Sequence, residues 1–173
     1  MKQILSFIIA TSITVASFAQ ATEQNLSEKV KITFPSKPEL KEVPNGPKLY
    51  TAKVDSLNDY IGLAIDLSPM GLTEDAIAGL GDGIWDMVKG QLGASLGGAE
   101  IISDSVQQFK GKSSLYLHID GTNSTNDQFK GRKAFIYMFF NGVIMHQILF
   151  TSKNPAAKKE DAKIFFDSVV ISN

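Results

Sequence analysis

Seven consecutive apolar or aromatic residues, Ala134-Phe-Ile-Tyr-Met-Phe-Phe140, run into Asn141-Gly142 and out again through Val143 to Thr151. A strand that is apolar on both faces is stable only where both faces are covered. This segment therefore demands an inner strand of a sheet, with further layers above and below it. Asn and Gly both tolerate the positive φ of a type I′ turn, so Asn141-Gly142 predicts a tight hairpin between the two runs. The rest of the chain has to supply the neighbouring strands and the cover.

That cover must hold without crosslinks, because the 173 residues include no cysteine. The chain opens with a lone Lys2, an apolar run from Ile4 to Phe18, and small residues at Ala19 and Ala21. This reads as a secretory signal peptide over 1–21, cut after Ala21 or, alternatively, after Ala19. The run is shorter than the roughly 20 apolar residues of a membrane span, so no stable span is expected after cleavage. The expected destination is the periplasm or the exterior, where small domains usually rely on disulfides. Without a thiol the chain is no acylated lipoprotein, and its fold rests on its core alone. Formal net charge is −1, and the lysine clusters at 29–31, 130–133 and 158–163 are interleaved with acids or apolar residues. That balance lacks the basic footprint of a nucleic-acid-binding protein.

Residues 22–29 are polar and read as a flexible lead-in to one domain over 30–173. Val30, Ile32 and Phe34 alternate as a half-buried strand that Pro35 and Pro38 stop. The stretch from Ser36 to Lys48, with Pro38, Pro44 and Pro47, reads as an extended loop. Leu49–Leu57 and Tyr60–Leu67 read as a hairpin around Asn58-Asp59. After Thr73, a plausible N-cap followed by Glu74 and Asp75, the apolar positions Ile77, Leu80, Ile84, Val88, Leu92 and Leu96 give the stripe of one long helix. Gly79, Gly81, Gly83, Gly90, Gly93 and Gly97 interrupt it, each at a cost of up to about 1 kcal/mol. Gly79, Gly83, Gly90, Ala94 and Gly97 fall near one line, which predicts a helix backbone lying close against a sheet or a second helix. Ile101–Phe109, Ser113–Ile119, Lys133–Phe140 and Val143–Thr151 follow as strands. Leu115, Leu117 and Ile119 share one face of theirs, and Tyr116, His118 and Asp120 share the other, expected to be wet. A closing helix over Ala157–Val170 turns Ala162, Phe165, Phe166 and Val169 inward.

The order of elements gives an α+β fold: an antiparallel sheet of about six to seven strands with one long Gly-rich helix and a C-terminal helix packed on it. Two stretches, Val30-Lys-Ile-Thr-Phe-Pro-Ser-Lys-Pro38 and Ala162-Lys-Ile-Phe-Phe-Asp-Ser-Val-Val-Ile171, flank the Lys130–Ser152 hairpin. Together they resemble exported bacterial domains of the PsbP-like superfamily, in which an FP-x-x-P strand opens the domain and an FFDSF-like helix closes it. The resemblance implies that fold and a non-catalytic docking role, as in an extrinsic photosystem subunit or a Ran-binding protein, with no shared catalytic residues. The chain departs from the pattern at Val169, where an aromatic is common, and in its glycine-rich helix.

Candidate chemistry is sparse. Gly79-Leu-Gly-Asp-Gly83 lacks the spacing of a phosphate loop and sits inside its helix, and no cofactor is expected. Asp120-Gly-Thr-Asn-Ser-Thr-Asn-Asp127 is rich in hard oxygens, yet Thr125 and Gly131 stand where a calcium loop has glycine and glutamate. It reads as a solvated hairpin loop. His118 and His146 are the only histidines, and no metal site is expected from them, the side chains of ligand type being His118, Asp120 and Asp127. Three functions are therefore in play. The first is an accessory protein that docks to a protein partner in the bacterial envelope. The second is a carrier of a small apolar ligand between the Gly-rich helix and the sheet, at Gly83, Gly90 and Trp85. The third, ranked last, is a hydrolase built on His118, Asp120 and His146, although no serine sits in a G-x-S-x-G elbow.

Overall fold

The structure, a computed structural model, describes residues 21–42 and 46–172. The leader lies outside the described residues apart from Ala21, as does Pro44. Among the described residues, ten strands form two antiparallel sheets. The larger has seven strands in the order β3-β4-β5-β9-β8-β7-β6: β3 Glu39–Glu42, β4 Lys48–Lys53, β5 Asn58–Asp66, β6 Glu100–Phe109, β7 Lys112–Asp120, β8 Lys133–Asn141 and β9 Ile144–Ser152. The smaller has the order β1-β2-β10: β1 Thr22–Asn25, β2 Val30–Phe34 and β10 Val170–Ile171. The apolar run over 134–140 lies in β8, paired on both sides by β7 and β9.

Its two faces meet two different covers, as that run demands. Phe135, Tyr137 and Phe139 on one face join Ile148, Phe150, Ala52 and Tyr50 beneath the small sheet and the C-terminal helix, whose Val30, Ile32, Phe34, Phe165 and Phe166 complete the cluster. Ile136 and Met138 on the other face join Leu115, Leu117, Ile119 and Leu149 beneath two helices, which contribute Ile77, Ile84 and Trp85. These helices are α1 (Glu74–Leu80) and α2 (Gly83–Ser95). The result is three layers, with the seven-stranded sheet in the middle.

Several boundaries differ from the expectation, each for a local reason. The 22–29 lead-in is not flexible: Thr22–Asn25 pairs antiparallel with β2, and Leu26 is buried in the core. Gly62 makes the notch for that leucine, since a Cβ there would stand 2.8 Å from Leu26 Cδ2. The 36–48 loop contains β3, an edge strand exposed along its length. Asn58 and Asp59 begin β5 rather than turn, because the Asp55 carboxylate takes the turn instead, accepting from the backbone N–H of Leu57 and Asn58. Asn141 pairs with Ile144, so the β8–β9 turn is Gly142-Val143 with Gly142 at φ 63°. A hairpin turn with two consecutive positive φ values forms instead at Lys110-Gly111, at 52° and 80°, between β6 and β7.

The long helix breaks in two at Gly81, whose φ of 52° and ψ of −138° only glycine adopts readily. Thr73 does cap α1, its hydroxyl accepting from Ala76 N–H. The closing helix is also shorter than expected: a 3-10 turn over Lys159–Ala162 leads into α3 (Lys163–Asp167), and Val170 and Ile171 form β10 against β2. Ala162, Phe165, Phe166 and Val169 point inward as their spacing predicted.

A methionine-lined groove beside the helix pair, the candidate functional site

The glycines of α1 and α2 do not face the sheet. A Cβ placed on Gly79, Gly83, Gly90 or Gly93 would meet no atom within 4 Å, so the expected close-packed glycine seam is absent and these residues line the outer side. Of the six glycines over 79–97, only Gly97, just past the end of α2, makes a close approach, at φ 58°, where a Cβ would stand 2.8 Å from Asn126 N. Trp85 is 1% exposed and serves as an anchor. Its indole N–H donates to Ser113 Oγ at 3.2 Å, and that hydroxyl donates to Asp82 Oδ1 at 2.7 Å, tying the start of α2 to β7.

Space is nevertheless left between the helix pair and the sheet. A groove of about 430 Å³ runs from the 3-10 turn Ser68–Met70 along α2, floored by β8 and β9. Its walls are almost wholly apolar: Leu67, Leu72, Leu80, Ile84, Val88, Leu92 and Phe140, with only Gln91, Ser95 and Gln147 polar. The remaining four lining residues are Met70, Met87, Met138 and Met145, every methionine of the chain after Met1. They come from four different elements. Met138 and Met145 sit on one face of β8 and β9, Met145 lying opposite Phe140. Met70 and Met87 stand at the lips, 74% and 56% exposed, and Leu80 beside them is 42% exposed. Gly83, Gly90 and Trp85 are not among the lining residues. No short motif marks this site: its methionines are scattered over 70–145, and only the fold gathers them.

A larger hollow of about 800 Å³ lies between residues 25–29, β4 and the β8–β9 turn. Its lining mixes charged side chains such as Glu28, Lys29, Asp66 and Glu74 with apolar ones such as Leu26 and Ile144, with no convergent chemistry.

The histidines do not meet. His118 on β7 lies level with Phe135 and Phe150, two strands and four residues from His146 on β9, about 16 Å apart by strand spacing. They share the face beneath the small sheet, but acid–base partners must share one substrate, so the arrangement of His118, Asp120 and His146 forms no catalytic unit. His118 stacks on Phe135 and is half-buried, so the face expected to be wet is largely covered. Burial lowers its pKa, Lys133 adds to that, and Asp120 opposes it. Asp120 is committed elsewhere: Oδ2 accepts from Lys133 Nζ at 2.5 Å, and Oδ1 accepts from the Thr122 hydroxyl and backbone N–H. Those partners, Lys133 first, hold its carboxyl far below the usual carboxylate range.

The oxygen-rich loop has a structural task. Ser124 Oγ donates to Leu96 O at 2.7 Å, Asn126 Nδ2 to Ser95 O at 2.8 Å, and Thr125 N–H and hydroxyl to Gly97 O. These bonds fasten the C-terminal end of α2 to the loop, Ser95 O being one of the carbonyls that a helix end leaves without an intrahelical partner. Asp127 is exposed, and among the described residues no group of three or more histidine, aspartate or glutamate side chains gathers as a metal site would require.

With this architecture in view, the comparison with solved structures is informative. Cyanobacterial PsbP (CyanoP) from Synechocystis sp. PCC 6803 superposes with a TM-score of 0.53 at 13% identity, covering 97% of this chain and 99% of that one. The fold is PsbP-like. A crystal structure from Bacteroides thetaiotaomicron VPI-5482 matches with a TM-score of 0.47 at 13% identity, covering 89% of this chain, which spans only 49% of that one. No family model and no curated protein matches. Identity this low carries the fold and nothing finer. Among the described residues, no helix is long and apolar enough to cross a membrane.

Proposed function

We propose that this chain is a non-catalytic binding protein that takes a small apolar ligand into the groove between the α1–α2 pair and the sheet. The observation that carries the reading is the groove itself: about 430 Å³, nearly free of polar side chains, with Met70, Met87 and Leu80 left exposed at its mouth. A volume of this size suits a small molecule, and such pockets are mostly apolar. Unbranched thioether side chains adapt to ligands of varied shape. The leader read over residues 1–21 supports a role outside the cytoplasm, in the periplasm or beyond.

A second reading, docking to an envelope protein through the same mouth, is favoured by the exposure of Met70 and Met87, since exposed apolar patches mark interaction sites. Titration with the apolar fluorophore N-phenyl-1-naphthylamine tests the first reading. Saturable binding is expected, weakened at least tenfold by Met87→Lys with unchanged melting temperature. Absence of saturable binding, or equal binding by the variant, overturns it. A photo-crosslinking residue at position 87 that captures one envelope protein in whole cells, while the same residue at Lys41 on β3 does not, would favour docking.

A further inference from the structure

The chain has no cysteine, so its sulfur redox chemistry resides entirely in methionine. After Met1, all four methionines border one groove. Their exposure is steeply graded: Met70 74%, Met87 56%, Met145 partly buried and Met138 1%. The two at the lips meet solvent first. The accessible sulfurs thus stand at the lips of the groove.

We propose that Met70 and Met87 are a paired oxidation site at which a hydroperoxide switches the groove from apolar to polar. The thioether lone pair attacks one oxygen of the peroxide. The O–O bond breaks as the S–O bond forms, the sulfur is oxidised by two electrons, and the departing alkoxide, or hydroxide from hydrogen peroxide, takes the remaining proton to leave as an alcohol or water. The product, a sulfoxide, converts a flexible apolar side chain into a polar one. A bound apolar ligand would have to strip water from that S–O dipole, with no donor of its own to replace it. Leu80 and Ile84 beside the lips offer no hydrogen bond, and Gln91 is the only amide of α2 on the groove. The change is reversible by methionine sulfoxide reductases, so the groove would reopen once the oxidant is gone. An exported, thiol-free chain meets oxidants without a cysteine to intercept them, which leaves the lip methionines as its most reactive side chains.

The switching half of this inference rests on the proposed apolar binding, whereas the modification half stands on exposure alone. Treatment of the folded chain with a modest excess of hydrogen peroxide, followed by peptide mass analysis and N-phenyl-1-naphthylamine titration, separates the two. Met70 and Met87 are expected to gain one oxygen each before Met138 does, and probe affinity is expected to fall at least tenfold. Reductase treatment should restore it, and the Met70→Leu/Met87→Leu double variant, whatever its starting affinity, should show the same affinity before and after peroxide. Oxidation of Met138 as fast as the lip residues overturns the site. Unchanged probe binding after lip oxidation, or equal loss in the double variant, overturns the switch. Failure of the untreated chain to bind the probe would defeat the proposed function and the switch with it, and the order of oxidation would still decide the site.

Discussion

His146 shows at the scale of one residue how the core constrains chemistry. It is fully buried, stacks on Phe139, and holds Ser27 Oγ at 3.0 Å through Nε2, while Nδ1 meets no partner of good hydrogen-bond geometry. Burial pushes its pKa down to about 4, the Ile144 backbone opposing weakly. Its folded value thus lies below the unfolded 6.5, so the unfolded state binds more protons between the two. Stability is complete above about pH 6.5 and is lost as pH falls toward 4. From pH 7.5 to 5 the loss attributable to this group is about 2 kcal/mol. Urea titrations at those two pH values should show that drop in the wild type and most of it missing in His146→Leu, with the smaller remainder from His118, whose pKa is lowered in the same direction. Equal pH dependence in both proteins would mean that water reaches the ring.

Gly121 is the opposite kind of residue, fixed by space. A Cβ there would stand 1.8 Å from the Phe129 carbonyl oxygen, a backbone atom closed into place by Gly121 N–H donating to Arg132 O and Gly131 N–H donating to Gly121 O. Gly121→Ala is expected to destabilise by several kcal/mol, read as a collapsed urea midpoint. Sequence inspection shows a Gly in a polar loop and nothing of this, because the crowding atom is eight positions away.

Among the elements, α2 is the one whose local preference conflicts with its structure. Gly90 and Gly93 lie in its interior with negative φ and open space where a Cβ would go. Alanine at each should add about 0.5–1 kcal/mol. The double variant Gly90→Ala/Gly93→Ala is expected to melt about 3–6 °C higher, with probe affinity unchanged because neither residue lines the groove. A lower melting temperature would mean that the outer face of α2 packs against another surface in solution. The helix exists because its inner side is anchored, by Ile84 and Trp85 in the core and by Ser124, Thr125 and Asn126 at its C-terminus. The strands β2 and β4–β9 were legible from alternation and β-branching, whereas the short strands β1, β3 and β10 and the turn positions were not. Asp55 captured one turn through two backbone N–H groups, and Lys110 accepted a left-handed conformation at another, choices made by geometry that a residue-type preference only weakly encodes. The glycine spacing over 79–97 predicts one line on one helix lying against a neighbour, whereas the helix breaks at Gly81 and the glycines of α1 and α2 face outward, because spacing defines a face without saying what it faces.

For the whole molecule, the run over 134–140 already required two covers, and the opening and closing motifs supplied one of them: β2 and α3 meet through Phe34 and Phe165, 5.4 Å apart, and Ser168 Oγ accepts from Thr33 N–H at 3.0 Å. What composition hid was that the polar residues just before β2 belong to that cover. Thr22–Asn25 is an edge strand whose composition is set by solvent on one side, so its polarity mimics a flexible arm, and the single apolar residue that follows carries the packing. Leu26 fills the notch at Gly62, and Ser27 reaches His146. A chain beginning at Glu28 would therefore lose a strand, leave a cavity over β5 and expose the imidazole. Removal of a buried leucine alone costs about 2–5 kcal/mol, so this truncation should unfold at least that much more readily than a chain beginning at Ala21. Leu26→Ala in the longer chain should recover most of the difference in urea titrations, and a truncation without effect on the midpoint would show that the first strand is an ornament of the fold instead of part of its core.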